Sequence, residues 1–472
     1  MSVQTELFVF IASISLLLLG MSLHYITKRL KRKQRLNNYE QEDDHREIIR
    51  YKNFFLISAC SLLLVYFGYK EIVKAGIESH VMEWLNLVIR WAHVVLGIAW
   101  IGASFYFIFL ENSLNRSTNL RDELAGNLWA IHGGGFYYVE KYKTAPSEIP
   151  AHLHWFKYEA YYTWLTGFIL LFLVYYMNAK AFLIDPSVRQ IEPGTAVAIG
   201  IGTIVLGWII YDALCKSSLV NKKYLFAIIG FVIVTLISFF LSHVFSGRAA
   251  FMHVGALLGT IMAGNVFFTI IPAQKALVKA ARENKPVDPS LGKYAGLRSL
   301  HNNYITFPVV FIMISNHFPT TFANQSNWAV LAGLTLTSVA VRHFINMYEK
   351  GKYAIWVIPF SVVALVAMVI ATAPKTKSAT NKDTSPVSFL QIQPIIQKRC
   401  IQCHSSNPTD DVEKIAPNGI KLETPEQIKN QKERILLRVV QTQTMPQGNK
   451  TGITENEREL IGRWIEQGGN IN

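Results

Sequence analysis

A chain of 472 residues that is 51% hydrophobic, with a mean hydropathy of +0.23 and a formal net charge of +14, does not read as a soluble nucleic-acid binder. Its lysines and arginines fall between long apolar runs rather than on one soluble face, so no nucleic-acid partner is expected and membrane lipid is. Four cysteines exclude a disulfide framework: two share one short motif, and Cys60 and Cys215 lie in or beside apolar segments as small packing residues.

Apolar stretches approaching or exceeding the spanning length of about 20 residues recur near 7–27, 54–70, 84–110, 160–178, 196–214, 223–245, 251–271, 303–318, 327–345 and 353–373. No charged segment precedes the first, and Lys28, Arg29, Lys31, Arg32 and Lys33 follow it, so it reads as a span rather than a cleaved signal. Ten spans sort the charges. Predicted inside loops hold the 28–35 cluster, Lys141, Lys143, Lys216, Lys222, Lys223, the run from Lys275 to Lys293, Lys350 and Lys352. Predicted outside loops hold little beyond Lys74, Lys180, Arg189 and Arg248. The eighth span is the weakest, because its strictly apolar core is short and contains Pro308. An even number of spans places both termini outside.

Ionisable residues inside a bilayer are expensive and mark function by default. His93 lies within the third predicted span, while His243, His253 and His317 sit at span ends, all in the outer half. Neutral imidazoles on facing helices can ligate a b-type haem. Arg90, one turn before His93, is placed to meet a propionate. The bland alternative, histidines that cap helix ends or bond carbonyls, applies to each.

The long inner loop after the third span contains His132, Gly133, Gly134 and Gly135, then Lys141, Lys143, His152, His154, Trp155, Lys157 and Glu159. His301-Asn302-Asn303 and Arg342-His343 face the same side. Glycines let backbone N–H groups approach a ligand closely. Lysines and amides suit a small planar anion, and a histidine such as His132, His152 or His154 is suited to act as general base near neutral pH. A solvated linker is the competing reading of this loop, although its content of Trp, Tyr and His is unlike a linker.

Residues 374–387 are a Pro/Ser/Thr/Lys linker, and 388–472 read as a small helical domain of the class I cytochrome c kind. Cys400-Ile401-Gln402-Cys403-His404 is a C-x-x-C-H haem-attachment motif, with the thiols for thioether bonds and His404 as proximal ligand. Met445 lies about forty residues on, in a polar stretch where its thioether can become the sixth ligand. Haem c is attached on the outer face of the bacterial cytoplasmic membrane, in agreement with the charge bias.

Several segments together resemble the membrane-bound urate hydroxylases, urate oxidases of the PuuD type. They are RWAHVVLGIAWIGASFYFI at 90–108, HGGGFYYVEKYKTAPSEIPAHLHWFKYEAYYTWLTGF at 132–168, HNNYITFPVVFIMISNHFP at 301–319, VRHFIN at 341–346 and CIQCH at 400–404. The resemblance runs from about Leu85 to the C-terminus. It implies an all-α chain: an eight-span domain over 81–373 followed by a cytochrome c domain over 388–472; residues 1–80, with two further apolar stretches of spanning length and a basic loop, fall outside the resemblance and their role is open. It further implies oxidation of urate to 5-hydroxyisourate. Electrons would pass through haem c, and through a b-type haem between the spans, to a downstream cytochrome or terminal oxidase. The resemblance gives no residue-level catalytic assignment; the chemistry of the inner loop makes His132 or His154 the expected base and Lys141 or Lys157 the expected offset to the urate charge, with Gly133, Gly134, Gly135 and Asn302 lining the site. His93, His243, His253 and His317 are the candidate membrane haem ligands. Two other classes share part of the pattern: a membrane cytochrome that only passes quinol electrons, and a transporter with an appended cytochrome. The first leaves the inner loop unexplained, and the second lacks paired broken helices.

Overall fold

The computed structural model describes residues 78–117, 119–146, 148–286, 288–373 and 385–471. The two spans and basic loop expected within 1–80, and most of the 374–387 linker, lie outside the described residues apart from the last few before residue 81. Residues 88–472 cluster into one compact unit.

Helices occupy all eight apolar stretches expected between 84 and 373. They are α1 (Glu78–Ser113), α2 (Tyr158–Leu171), α3 (Pro193–Lys216), α4 (Lys223–Ser242), α5 (Gly247–Arg282), α6 (Pro289–Ser315), α8 (Asn327–Tyr348) and α9 (Val357–Thr372), with a single turn, α7 (Pro319–Phe322), before α8. Five of them, α1 from His80, α3, α4, α5 and α8, are long and apolar enough to cross a membrane. Helix α6 is not among them, because Lys293, Arg298, His301, Asn302 and Asn303 make its first half polar while Pro308 is accommodated inside it.

Helix α5 is the centre of this bundle. Over its apolar window 56% is buried, against 11–17% in the other four. Its Phe251, Val254 and Leu258 pack with Leu183, Leu241, Phe245, Ile312 and Leu331 from the surrounding elements. Glycines allow close approach of α3 and α5: a Cβ at Gly207 would lie 2.5 Å from Leu257, and one at Gly264 would lie 2.2 Å from Trp208. Small residues at such contacts let helix backbones meet where apolar burial cannot distinguish a neighbour from lipid. The outward faces expose Ile228, Leu236, Val363 and Val369, an apolar surface suited to hydrocarbon. Helix α2 widens into a π-turn over Phe172–Tyr176, and α5 does so over Asn265–Ile270.

One element corrects the all-α expectation. Residues 124–142 form an antiparallel hairpin of β1 (Leu124–His132) and β2 (Gly135–Tyr142). Gly133 and Gly134 are its two-residue connection, at φ of +59° and +80°, as a type I′ turn requires. Aromatic and β-branched residues flanking Gly-Gly are a hairpin signal. Gly133 and Gly134 serve the turn, and Gly135 opens β2.

The C-terminal segment folds as α10 (Phe389–Arg399), α11 (Pro425–Asn430), α12 (Lys432–Ile435), which runs into a π-turn, and α13 (Glu455–Glu466). Capping boxes start three of these helices, Ser388 with Gln391, Thr424 with Gln427 and Thr454 with Glu457. Ile392, Ile396, Ile461 and Trp464 form a separate core, against which Cys400 and Met445 pack.

Candidate functional site

The hairpin does not gather the residues expected to act together. His132 stands at its tip paired with Gly135, and Trp129, Ile131, Phe136 and Tyr137 are exposed around it. Lys141 is ion-paired with Glu111 at the end of α1, so its charge is already met. His154 rests its ring on Phe156 at 4.5 Å, Phe156 meets Phe107 of α1, and Lys157 lies 4.8 Å over the ring of Tyr158. Both His152 and His154 are exposed. Among the described residues no side-chain hydrogen bond, ion pair or ring contact links His132, His154, Lys141 and Lys157 to one another or to Asn302.

Asn302 belongs instead to a buried network between α3, α5 and α6. Its Nδ2 donates to the carbonyl of Met262 at 3.0 Å, and its Oδ1 accepts from Asn265 at 2.8 Å. Asn265, carried inward at the π-turn of α5, also donates to the Tyr211 hydroxyl at 2.9 Å. The Arg298 guanidinium, 1% exposed, donates to Asn265 Oδ1 at 3.1 Å, to Asp212 at 2.6 Å and to the Tyr294 hydroxyl at 2.5 Å. Tyr211 reaches His301 Nδ1 at 2.9 Å, and the His301 ring stacks on Phe226. Sequence reasoning missed Arg298, Asp212, Asn265 and Tyr211. An acid inside the fifth apolar stretch and an arginine just before the eighth were the available signals.

A second buried cluster joins α6 to α8. Asn303, Arg342 and Asn346 are 0%, 2% and 3% exposed. Arg342 Nε donates to Asn303 Oδ1 at 3.1 Å, and Asn346 Nδ2 donates to the same oxygen at 2.8 Å. The Arg342 guanidinium carbon lies 4.2 Å from the Phe105 ring centroid and 5.8 Å from that of Phe307. Beside it, the Tyr304 hydroxyl meets His343 Nδ1 at 2.8 Å.

The four histidines expected near the outer face are not brought together. His243 and His317 are exposed at helix ends. His253 is fully buried with both nitrogens engaged, Nδ1 by the Ala249 carbonyl at 2.8 Å and Nε2 by the Tyr176 hydroxyl at 3.2 Å. Gly200 gives it room, since a Cβ there would lie 2.6 Å from Nε2. His93 Nδ1 bonds the Thr163 carbonyl at 3.0 Å and Thr166 Oγ1 at 3.1 Å, leaving Nε2 as its open nitrogen among the described residues. Arg90 lies within electrostatic reach of Arg248, whose guanidinium is over Tyr175 and Phe182 and bonded to Asn316.

In the C-terminal segment, His404 Nδ1 is fixed by the Ile420 carbonyl at 3.0 Å, the arrangement that leaves Nε2 unprotonated and directed as a ligand. Cys400 and Cys403 are free thiols. Burial pushes both up to about 12, with Cys403 adding to Cys400 and Asp410 adding to Cys403, unlike the acidic thiolate of a redox C-x-x-C pair. The loop bearing Met445 is clasped to the cysteine loop. Lys450 bonds Asp410 at 2.7 Å and also Asp411, while Thr451 Oγ1 donates to the Arg399 carbonyl at 3.0 Å. The same loop touches the helix bundle, where Gly448 would place a Cβ 3.2 Å from the Ile184 carbonyl. Among the described residues no three His, Cys, Asp or Glu side chains converge as a metal cluster.

Fold and site together define a mainly helical protein with helices of membrane-spanning length and buried arginines, amides and histidines between them. The family model for the urate oxidase N-terminal region matches residues 79–373, more than half of the chain and the whole helix bundle. The chain belongs to the urate oxidase N-terminal family. No curated protein and no solved structure matches it.

Proposed function

We propose that the protein is a membrane-bound urate oxidase of the bacterial cytoplasmic membrane, coupled through a C-terminal cytochrome c domain to the respiratory chain. The family match over the helix bundle carries this reading. In the reaction urate loses two electrons, one water oxygen bonds to C5, and two protons leave, giving 5-hydroxyisourate. The two electrons would leave by way of the C-terminal domain to a downstream cytochrome or terminal oxidase.

The residues present fit haem c. Cys400 and Cys403 would hold it, His404 offers Nε2 with Nδ1 already bonded, and Met445 lies on a loop clasped to the cysteine loop. When bound, the group supplies a one-electron acceptor whose methionine–histidine ligation favours a high potential. Contact of the Met445 loop with residues near Ile184 brings that domain against the end of the bundle where α2 and α3 are joined, which supports passage of electrons from the bundle to it. For a membrane haem, His93 offers one open nitrogen, and His253 would have to be released from Tyr176 to give a second. Arg90, one turn before His93, would be placed to meet a propionate.

The test is to add urate to membranes or purified protein while recording urate absorbance and the haem spectrum together. Urate loss coupled to reduction of a covalently bound haem is expected, with both coupling and covalent haem lost in Cys400→Ala/Cys403→Ala. Haem reduced by quinol while urate stays intact would overturn the reading in favour of an electron-transfer subunit.

A further inference from the structure

Three buried polar atoms in the α6–α8 cluster have no partner: Arg342 Nη2, Asn303 Nδ2 and Asn346 Oδ1. Their chemical identities follow from the hydrogen bonds around them. A guanidinium only donates, so the Asn303 atom facing Arg342 Nε must be its oxygen, and its amide nitrogen points elsewhere. Asn346 must then present its nitrogen to that shared oxygen, which leaves its own oxygen unused. The cluster therefore holds two unmet donors and one unmet acceptor.

It also holds an unmet charge. Among the described residues no carboxylate lies within ion-pair distance of Arg342, whereas Arg298, equally buried, has Asp212. Glu349, the acid whose charge Arg342 senses, is bonded by Asn112 of α1 at 2.7 Å. Buried charges and buried polar atoms are costly unless paired, and a native fold that keeps both in one place has a reason. Stacking on Phe105 occupies the face of the guanidinium and leaves its N–H edge in plane for a ligand. Phe105 and Phe307, edge to face at 5.7 Å, supply apolar walls for a flat ring.

We propose that Arg342, Asn303 and Asn346, walled by Phe105 and Phe307, form the subsite that binds the substrate as a planar purine anion. This deepens the urate oxidase reading and rests on it. Urate carries negative charge near neutral pH, and its edges alternate carbonyl oxygens with N–H groups. Two donors and one acceptor beside a cation match such an edge, and the hairpin offers no comparable set. The three unmet atoms are closed off from solvent, so a bound anion meets the guanidinium in a medium where charge-assisted hydrogen bonds are strong.

Binding of urate to full-length protein in detergent, measured by equilibrium dialysis, tests this without relying on turnover. Arg342→Met should weaken urate binding by about 10–100-fold, as loss of a charge-assisted contact implies. Arg342→Lys keeps the charge but not the planar N–H edge stacked on Phe105, so it should weaken binding to a similar degree while the thermal midpoint holds. This second variant separates loss of the site from loss of the fold. Wild-type urate affinity in both folded variants, or loss of affinity in Lys141→Ala instead, would overturn the subsite and leave the urate reading standing. Wild-type protein that neither binds nor consumes urate would overturn the reading, and the subsite's ligand with it.

Discussion

Two arginines buried to the same degree sit on helices of one bundle, and they are treated oppositely. Arg298 is closed at its charge: an aspartate, a tyrosine and an asparagine take N–H groups from both of its terminal nitrogens, leaving Nε alone without a partner among the described residues, and the asparagine is bonded onward to Tyr211 and Asn302. Arg342 is open: its contacts are one asparagine oxygen and two phenyl rings, and its charge has no adjacent acid. A closed network fixes helix positions. An open one stores a demand that a ligand of opposite charge can meet. Burial alone does not separate structural from functional polar residues; how completely each is satisfied does.

The sharpest way to break this contrast is to make the same substitution at both sites. Arg298→Met leaves Asp212 with Lys216 alone as counter-ion and strips Asn265 Oδ1 and the Tyr294 hydroxyl of their buried donor, and should cost about 1–3 kcal/mol, seen as a fall in thermal midpoint or in yield of monodisperse protein. Arg298→Met with Asp212→Leu should recover only part of that loss. Arg342→Met removes an uncompensated charge and should leave the midpoint unchanged or raised. Equal destabilisation at both sites would erase the distinction.

A charge pair outside the membrane helices calibrates it by pH. Burial pushes the Asp410 carboxyl up, but Lys450 and the N–H groups of Val412 and Glu413 outweigh burial and hold it below its ordinary range. A depressed carboxyl stabilises the fold above its unfolded value of about 4 and loses that contribution as pH falls through the folded value. The C-terminal domain should therefore weaken in acid. Asp410→Asn should blunt that acid dependence and cost about 1–2 kcal/mol at neutral pH, read from its far-UV melt as a function of pH.

The smallest expected effect concerns the hairpin. Gly134→Val, at φ +80°, should cost about 1–2 kcal/mol locally, because a β-branched residue resists that conformation. Limited proteolysis should show faster cleavage near residue 134 with urate affinity unaltered. A matching loss of affinity would return the binding site to the hairpin.

Much of the fold was legible in the chain. Apolar stretches of spanning length located eight helices, because a segment that must satisfy its own backbone in hydrocarbon has to be both apolar and helical. The C-x-x-C-H motif is likewise a local pattern, whereas the Met445 loop meets the cysteine loop only through tertiary contacts such as Lys450 with Asp410. The hairpin is also written locally, in aromatic strands flanking Gly-Gly, although the same glycines equally suit a ligand-binding loop, because one sequence feature serves both purposes.

Which polar residues are finished and which are not was decided only by tertiary structure. Nothing in the sequence couples Arg298 to Asp212 across 86 positions, or places Asn303 between Arg342 and Asn346. Nor does it engage both nitrogens of His253 while leaving one of His93 open. Helix formation depends on neighbours along the chain, and the sequence carries that directly. Hydrogen-bond satisfaction depends on which helix faces meet, and only the packed bundle determines it.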